Sequence, residues 1–88
     1  MQQRKFIIVN RLGLHARAAA QLVQTANRFS SEVNVFKDDL EVNGKSIMGI
    51  LLLAAPQGTE IGIAVDGPDE ESAMHAIAEL VEDGFGED

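Results

Sequence analysis

The order in which strand-like and helix-like stretches follow one another leaves this chain few folds to choose from. Lys5-Phe6-Ile7-Ile8-Val9 is β-branched and aromatic and predicts a strand. From Ala16 to about Arg28, apolar residues recur at positions 19, 22, 23 and 26, which is helical spacing. Ala18-Ala19-Ala20 favours helix and lets that face approach a sheet closely. Glu32 to Phe36 and Leu40 to Val42 alternate around Asp38-Asp39, the pattern of a hairpin. Ser46 then opens a short apolar segment, Ile47 to Leu53, which reads as a brief helix. Glu60 to Asp66 alternates again, with Ile61, Ile63 and Val65 on one face. Beyond Asp66-Gly67-Pro68, residues 69–83 form an amphipathic helix whose stripe is Ala73, Met74, Ile77, Leu80 and Val81. Asp69, Glu70 and Glu71 suit its positive end, and Gly84 can terminate it. The order is β-α-β-β-α-β-α. It predicts an α+β open-faced β-sandwich: a four-stranded antiparallel sheet with three helices on one face.

Eighty-eight residues suffice for one domain, 1–88, with a single modest core. The absence of cysteine excludes disulfides, zinc–thiolate sites and thiol catalysis. Arg4 and Lys5 are not followed by a long apolar segment, so no secretory leader is expected. The longest apolar run, Ile50 to Ala55, is too short to cross a membrane, and the expectation is a cytoplasmic protein without membrane insertion. The net charge of −7 disfavours nucleic acid, whose phosphates demand a cationic footprint. That charge is unevenly placed. Residues 1–31 hold five Lys and Arg and no carboxylate, whereas residues 32–88 hold two lysines against fourteen acids. A basic segment within an acidic chain suits a small anion better than a polyanion.

His15 lies in that segment, immediately before the first helix. If the helix begins at Ala16, its first backbone N–H groups lack intrahelical acceptors and face whatever sits beside His15. The helix end adds partial positive charge, worth roughly 0.3–1 kcal/mol to an exposed anion. Arg17 adds a permanently charged fork that fits phosphate oxygens. Such positive surroundings are expected to push the imidazole below its ordinary pKa, leaving a neutral ring with a nucleophilic lone pair. A phosphoryl group near His15 would meet nucleophile, amides and guanidinium together. Gly13 suits a loop that must turn closely beside them. The commoner role of a lone histidine at a helix start is that of a surface or capping residue.

"GLHAR" (residues 13–17), "NGKSIMGIL" (43–51), the ending "GFGED" (84–88), the length and the order of elements together resemble the HPr family across essentially the whole chain. These are histidine-containing phosphocarriers of the bacterial sugar phosphotransferase system. The resemblance implies that His15 accepts a phosphoryl group on Nδ1 from phosphorylated enzyme I, itself charged by phosphoenolpyruvate. The group would then pass to an enzyme IIA. Arg17 matches the family's phosphate-stabilising arginine, and Ala16, Arg17 and Ala18 would supply phosphate-binding amides. It implies a carrier with no cofactor, no metal and no turnover of its own, acting as a monomer. The family commonly has proline where Ala18 stands; alanine restores an N–H there and gives up some preorganisation. Carriers of a parallel nitrogen-linked branch also resemble HPr and often lack this proline, which makes that branch the alternative.

"NGKS" is not a nucleotide-binding P-loop, because Asp39 stands where the first glycine would be required. Ser46 is expected to cap the short helix, at on the order of 1 kcal/mol. The resemblance adds regulatory phosphorylation of Ser46 by a dedicated kinase, HPr kinase/phosphorylase. The short helix is apolar almost all round, so part of it must face water or a partner. Ile47, Met48 and Leu51, with Ala20 on the first helix, are the candidate docking residues. His75, inside the last helix without a cationic partner, is assigned no role. A small ligand-sensing module and a paralogue acting only through Ser46 rank lower. The first needs convergent polar groups found nowhere outside residues 15–17, and the second typically lacks the histidine.

Overall fold

The observed order of elements is the expected one. A computed structural model describes residues 1–87, and Asp88 of the "GFGED" ending lies outside the described residues. Strand β1 spans Gln2–Ile7, helix α1 Ala16–Asn27, β2 Glu32–Lys37 and β3 Leu40–Asn43. Helix α2 follows at Ile47–Leu53, β4 at Glu60–Asp66 and α3 at Glu70–Glu82, before a 3-10 turn at Gly84–Gly86. The sheet runs β1-β4-β2-β3 with every neighbouring pair antiparallel.

Strand β4 organises the core. Its Ile61, Ile63 and Val65 are all but inaccessible, opposite Phe6 on β1 and Val35 and Val33 on β2. Over this row α1 lays Ala18, Ala19, Leu22, Val23 and Ala26, and α3 lays Ala73, Met74, Ile77, Ala78 and Val81. Ile50 and Leu53 of α2 complete the layer. Each Val, Leu, Ile, Met or Phe side chain so buried is worth roughly 1.5–3 kcal/mol, and a slip of one residue would turn a whole row to water. The apolar row, not the hairpin turn, therefore holds the register.

Three details differ from the sequence expectation. Strand β1 begins at Gln2 and ends at Ile7, whereas Lys5 to Val9 was expected. Its polar first residues are recruited by pairing with Ala64 and Val65, and the ladder stops where β4 stops, at Glu60. Leu80 lies only half-buried at the edge of the α3 stripe, and Ala78, one turn beyond Met74, takes a core position instead. Phe85 is 2% exposed with a φ of 58°, between Gly84 and Gly86 at 64° and 72°. A left-handed non-glycine residue costs roughly 1–2 kcal/mol, and burying a phenylalanine returns about 1.5–3. Burial wins, so the tail is fastened to the core by one side chain.

Asp69 occupies the N-cap position of α3, yet its side chain does not cap its own helix. It reaches to the start of β2, accepting from the amides of Ser30 and Ser31 at 2.9 Å each and from the Ser31 hydroxyl. That hydroxyl first, then the Ser30 amide, hold the Asp69 carboxyl down at about 2. Stability from this clasp is complete above the ordinary aspartate value of about 3.9 and is lost as pH falls through about 2. Asp69→Ala should therefore lower the urea midpoint at pH 7. The gap between variant and parent should narrow steadily as the pH is taken to 2.

Candidate functional site

The loop between β1 and α1 is held at three points. The Leu14 amide donates to the Ala55 carbonyl at 2.9 Å, the Gly13 amide to the Asn10 carbonyl at 3.1 Å, and Asn10 Nδ2 to the Gly13 carbonyl at 2.8 Å. Gly13 has a φ of 68°, and a Cβ there would lie 2.5 Å from the Ala55 oxygen and 2.8 Å from Pro56 Cα. Both conditions demand glycine, as expected from its place beside the histidine. Leu14 is buried, and the next residue is His15.

His15 is the N-cap of α1, in extended backbone conformation, and its side chain does not cap the helix. The first intrahelical bond is donated by Ala19 to the His15 carbonyl at 2.8 Å. The amides of Ala16, Arg17 and Ala18 thus precede the first intrahelical donor, where no preceding turn supplies a carbonyl. Ala16 and Arg17 are exposed, whereas Ala18 is fully buried, its methyl group in the core. His15 and Arg17 line one shallow cleft of about 350 Å³ together with Arg11, Leu12, Gly86 and Glu87. Two guanidinium groups and one imidazole therefore share a surface.

Glu87 was not among the residues singled out from sequence. Its Oε2 lies 2.7 Å from His15 Nε2, and its Oε1 accepts from Asn10 Nδ2 at 3.0 Å. The Asn10 bond first, then His15 and Arg17, hold the Glu87 carboxyl below the ordinary glutamate range, against the opposing effect of desolvation. Surroundings expected to be wholly positive thus contain one fixed carboxylate. Asn10, 1% exposed, is the brace. Both of its partners are acceptors, so its NH2 must face them, and its Oδ1 has no hydrogen-bond partner among the described residues. Arg11 appeared in the sequence as one of several cations, and Asn10 offered no signal beyond its turn-forming type.

The remaining candidates lie outside this cleft. Ser46 caps α2, its hydroxyl accepting from the Gly49 amide at 3.1 Å. Ile47 and Met48 are exposed, Met48 at 70%. Leu51 is half-buried against the core, and Ala20 is half-buried on α1. Leu52, at 67%, and Leu12, at 68%, are further exposed large apolar side chains, on α2 and beside His15. His75 is exposed and pairs with Glu79 at 2.6 Å, an i,i+4 contact that had not been anticipated. Among the described residues no group of acids and histidines could hold a metal ion, and no helix is long and apolar enough to cross a membrane.

Comparison with known proteins bears on this arrangement. The family model described as "PTS HPr component phosphorylation site" matches residues 2–83. The chain belongs to the HPr family. The phosphocarrier protein HPr of Xylella fastidiosa strain 9a5c is 52% identical over 88 residues, covering 100% of this chain and 99% of that protein. The crystal structure of HPr-C-His from Thermoanaerobacter tengcongensis superimposes with a TM-score of 0.96 at 48% identity, covering 100% of this chain and 99% of that one. An HPr dimer from the same organism is also similar, with a TM-score of 0.79 at 48% identity over 99% and 100% of the two chains. The open-faced sandwich of this chain is thus the HPr fold.

The brace can be tested without any partner protein. Asn10→Ala should raise the titration midpoint of Glu87 toward the ordinary value of about 4.3, followed by its side-chain carboxyl ¹³C shift. The Asn10–Glu87 bond is complete above that value and is lost as pH falls through the lowered one. An unmoved Glu87 midpoint would show that Asn10 does not hold the carboxylate.

Proposed function

We propose that this HPr-family chain accepts a phosphoryl group on His15 Nδ1 from phosphorylated enzyme I and passes it to an enzyme IIA in sugar uptake. What carries the reading is the joint placement of a half-exposed imidazole, the start of α1 and the Arg17 guanidinium around one shallow cleft. The transferred group brings negative charge, and the amides of Ala16, Arg17 and Ala18 with the Arg17 fork are the donors for it. The chain acts as a carrier with no turnover of its own. A cleft this open suits a ring that two large proteins must reach in turn.

Donor and acceptor use one face, built from the start of α1 and the exposed residues of α2. Ala20, Ile47, Met48 and Leu51 contribute to it, with Leu12 and Leu52 as further apolar exposure. Sharing a face forbids simultaneous binding, so each complex is modest and transient. The carrier works as a cytoplasmic monomer, and the dimer known for a relative is the outcome that light scattering would show otherwise. The nitrogen-linked branch differs in acceptor and not in chemistry. Separate incubation with sugar-type and nitrogen-type acceptors distinguishes them, and the sugar-type acceptor is expected to take the label.

His15→Ala should abolish labelling by phosphoenolpyruvate plus enzyme I, read by ³¹P NMR. An acid-labile, alkali-stable phosphate persisting on that variant defeats the assignment. Arg17→Ala should slow transfer roughly ten- to a hundredfold, matching the ~1.5–3 kcal/mol of hydrogen bonds to charged groups.

Ser46 is the proposed regulatory site, phosphorylated from ATP by a dedicated kinase. Its hydroxyl already faces the Gly49 amide, so an added phosphate meets the start of α2 without breaking it. Incubation with ATP and that kinase should add one phosphate to the parent and none to Ser46→Ala. Labelling of the variant elsewhere removes Ser46 from the reading.

A further inference from the structure

Either ring nitrogen of a neutral histidine can carry the proton, and the choice decides which lone pair is free. The contact between His15 and Glu87 bears on that choice. Glu87 Oε2 sits 2.7 Å from Nε2, and the pair is part-buried, with the histidine side chain 29% and the glutamate 13% exposed. An ionised carboxylate can only accept, so Nε2 must be the nitrogen that bears hydrogen. The other nitrogen, Nδ1, makes no hydrogen bond to the start of α1. The carboxylate is also held from two sides. Buried Asn10 donates to its second oxygen at 3.0 Å, and the buried ring of Phe85 anchors the tail two residues earlier.

We propose that Glu87 is a positioning residue for phosphoryl transfer, fixing His15 in the Nε2–H tautomer so that Nδ1 is left as the nucleophile. The inference rests on the reading above that His15 is the acceptor. In the step, the Nδ1 lone pair forms the new N–P bond. The donor's bond to phosphorus breaks, and its electron pair returns to the donor's leaving atom. The Nε2 proton stays on the ring, which gains positive charge, and Glu87 compensates that charge across the 2.7 Å contact. Onward transfer reverses these changes. Arg11 and Arg17, the charged groups that share the cleft, are left to the transferred oxygens.

Glu87→Ala and Glu87→Gln test this, with unchanged thermal midpoints showing that each variant is folded. In the parent, ring ¹⁵N shifts at a pH where His15 is neutral should report a single Nε2–H tautomer. In Glu87→Ala they should move toward the mixture of free imidazole. Transfer from phosphorylated enzyme I should slow roughly tenfold in kcat with little change in KM. That is well short of the ~10⁴ lost at a buried triad carboxylate, because this pair is part-exposed. Glu87→Gln keeps the shape without the charge and should slow transfer as well. If the parent is labelled and Glu87→Ala leaves both tautomer and rate unmoved, the inference is overturned while the carrier reading stands. Faster transfer in either variant overturns it too, since the carboxylate would then obstruct the site. A parent that takes no label on His15 overturns the carrier reading, and this one with it.

Discussion

The hydrogen bond from the Leu14 amide to the Ala55 carbonyl ties the two halves of the molecule at the point where α1 begins. Leu14 is buried directly beneath, and Gly13 passes so close to Ala55 and Pro56 that no side chain fits. With those two residues fixed, the next one has little freedom. His15 must leave the loop extended and enter the helix, which makes it the N-cap whatever its own preference. Histidine is a poor capping residue by type. It stands there because the loop is pinned on one side and α1 is pinned to the sheet on the other. The chemistry of the site is thus a consequence of packing several residues away.

The C-terminal turn comes to the same place. The loop after β1 delivers both Asn10 and His15, and the C-terminal turn delivers Glu87, with residue separations of 77 and 72 for the two side-chain bonds to Glu87. What brings the tail there is Phe85, whose burial outweighs the left-handed backbone around it. The opposite end of the sheet is closed by Asp69, which reaches from α3 to the amides that open β2. One polar contact at each end and an apolar row between them hold the sheet against its helices.

Much of this was legible from residue order. Period-two stretches became β2 and β4, the three helices fell within a residue or two of their expected limits, and Ser46 stands at its cap. These features are local: each depends on residues within one turn or one strand. Apart from the His75–Glu79 pair and the exchange of Leu80 for Ala78 within α3, the misses are long-range. Gln2 to Arg4 look like no strand until β4 supplies partners, and Val9 looks like one but has no β4 residue opposite it. Asp69 resembles an ordinary helix-capping acid, and nothing nearby in the chain announces Ser31 as its partner. Glu87 is hidden most completely. In sequence it is one acid among fourteen, near the end of an acidic half, and its role depends on a turn whose strain only the core can support.

On the carrier reading proposed above, the same geometry lets a protein with so little enclosed space handle a reactive group. A pocket would hold the group by excluding water on all sides, and would also exclude the next protein. Here the ring is gripped from behind, through Nε2 and the extended loop, and its front is left to amides and guanidinium groups. Preorganisation comes from backbone contacts at Gly13 and Leu14, not from walls around the ligand. Exposed Leu12 beside the ring and Met48 and Leu52 on α2 offer apolar surface that, in the proposed relay, a partner covers and releases. Water is then excluded only while a complex lasts. On the same carrier reading, a donor and an acceptor each complete the same half-built site, and neither needs to open it first.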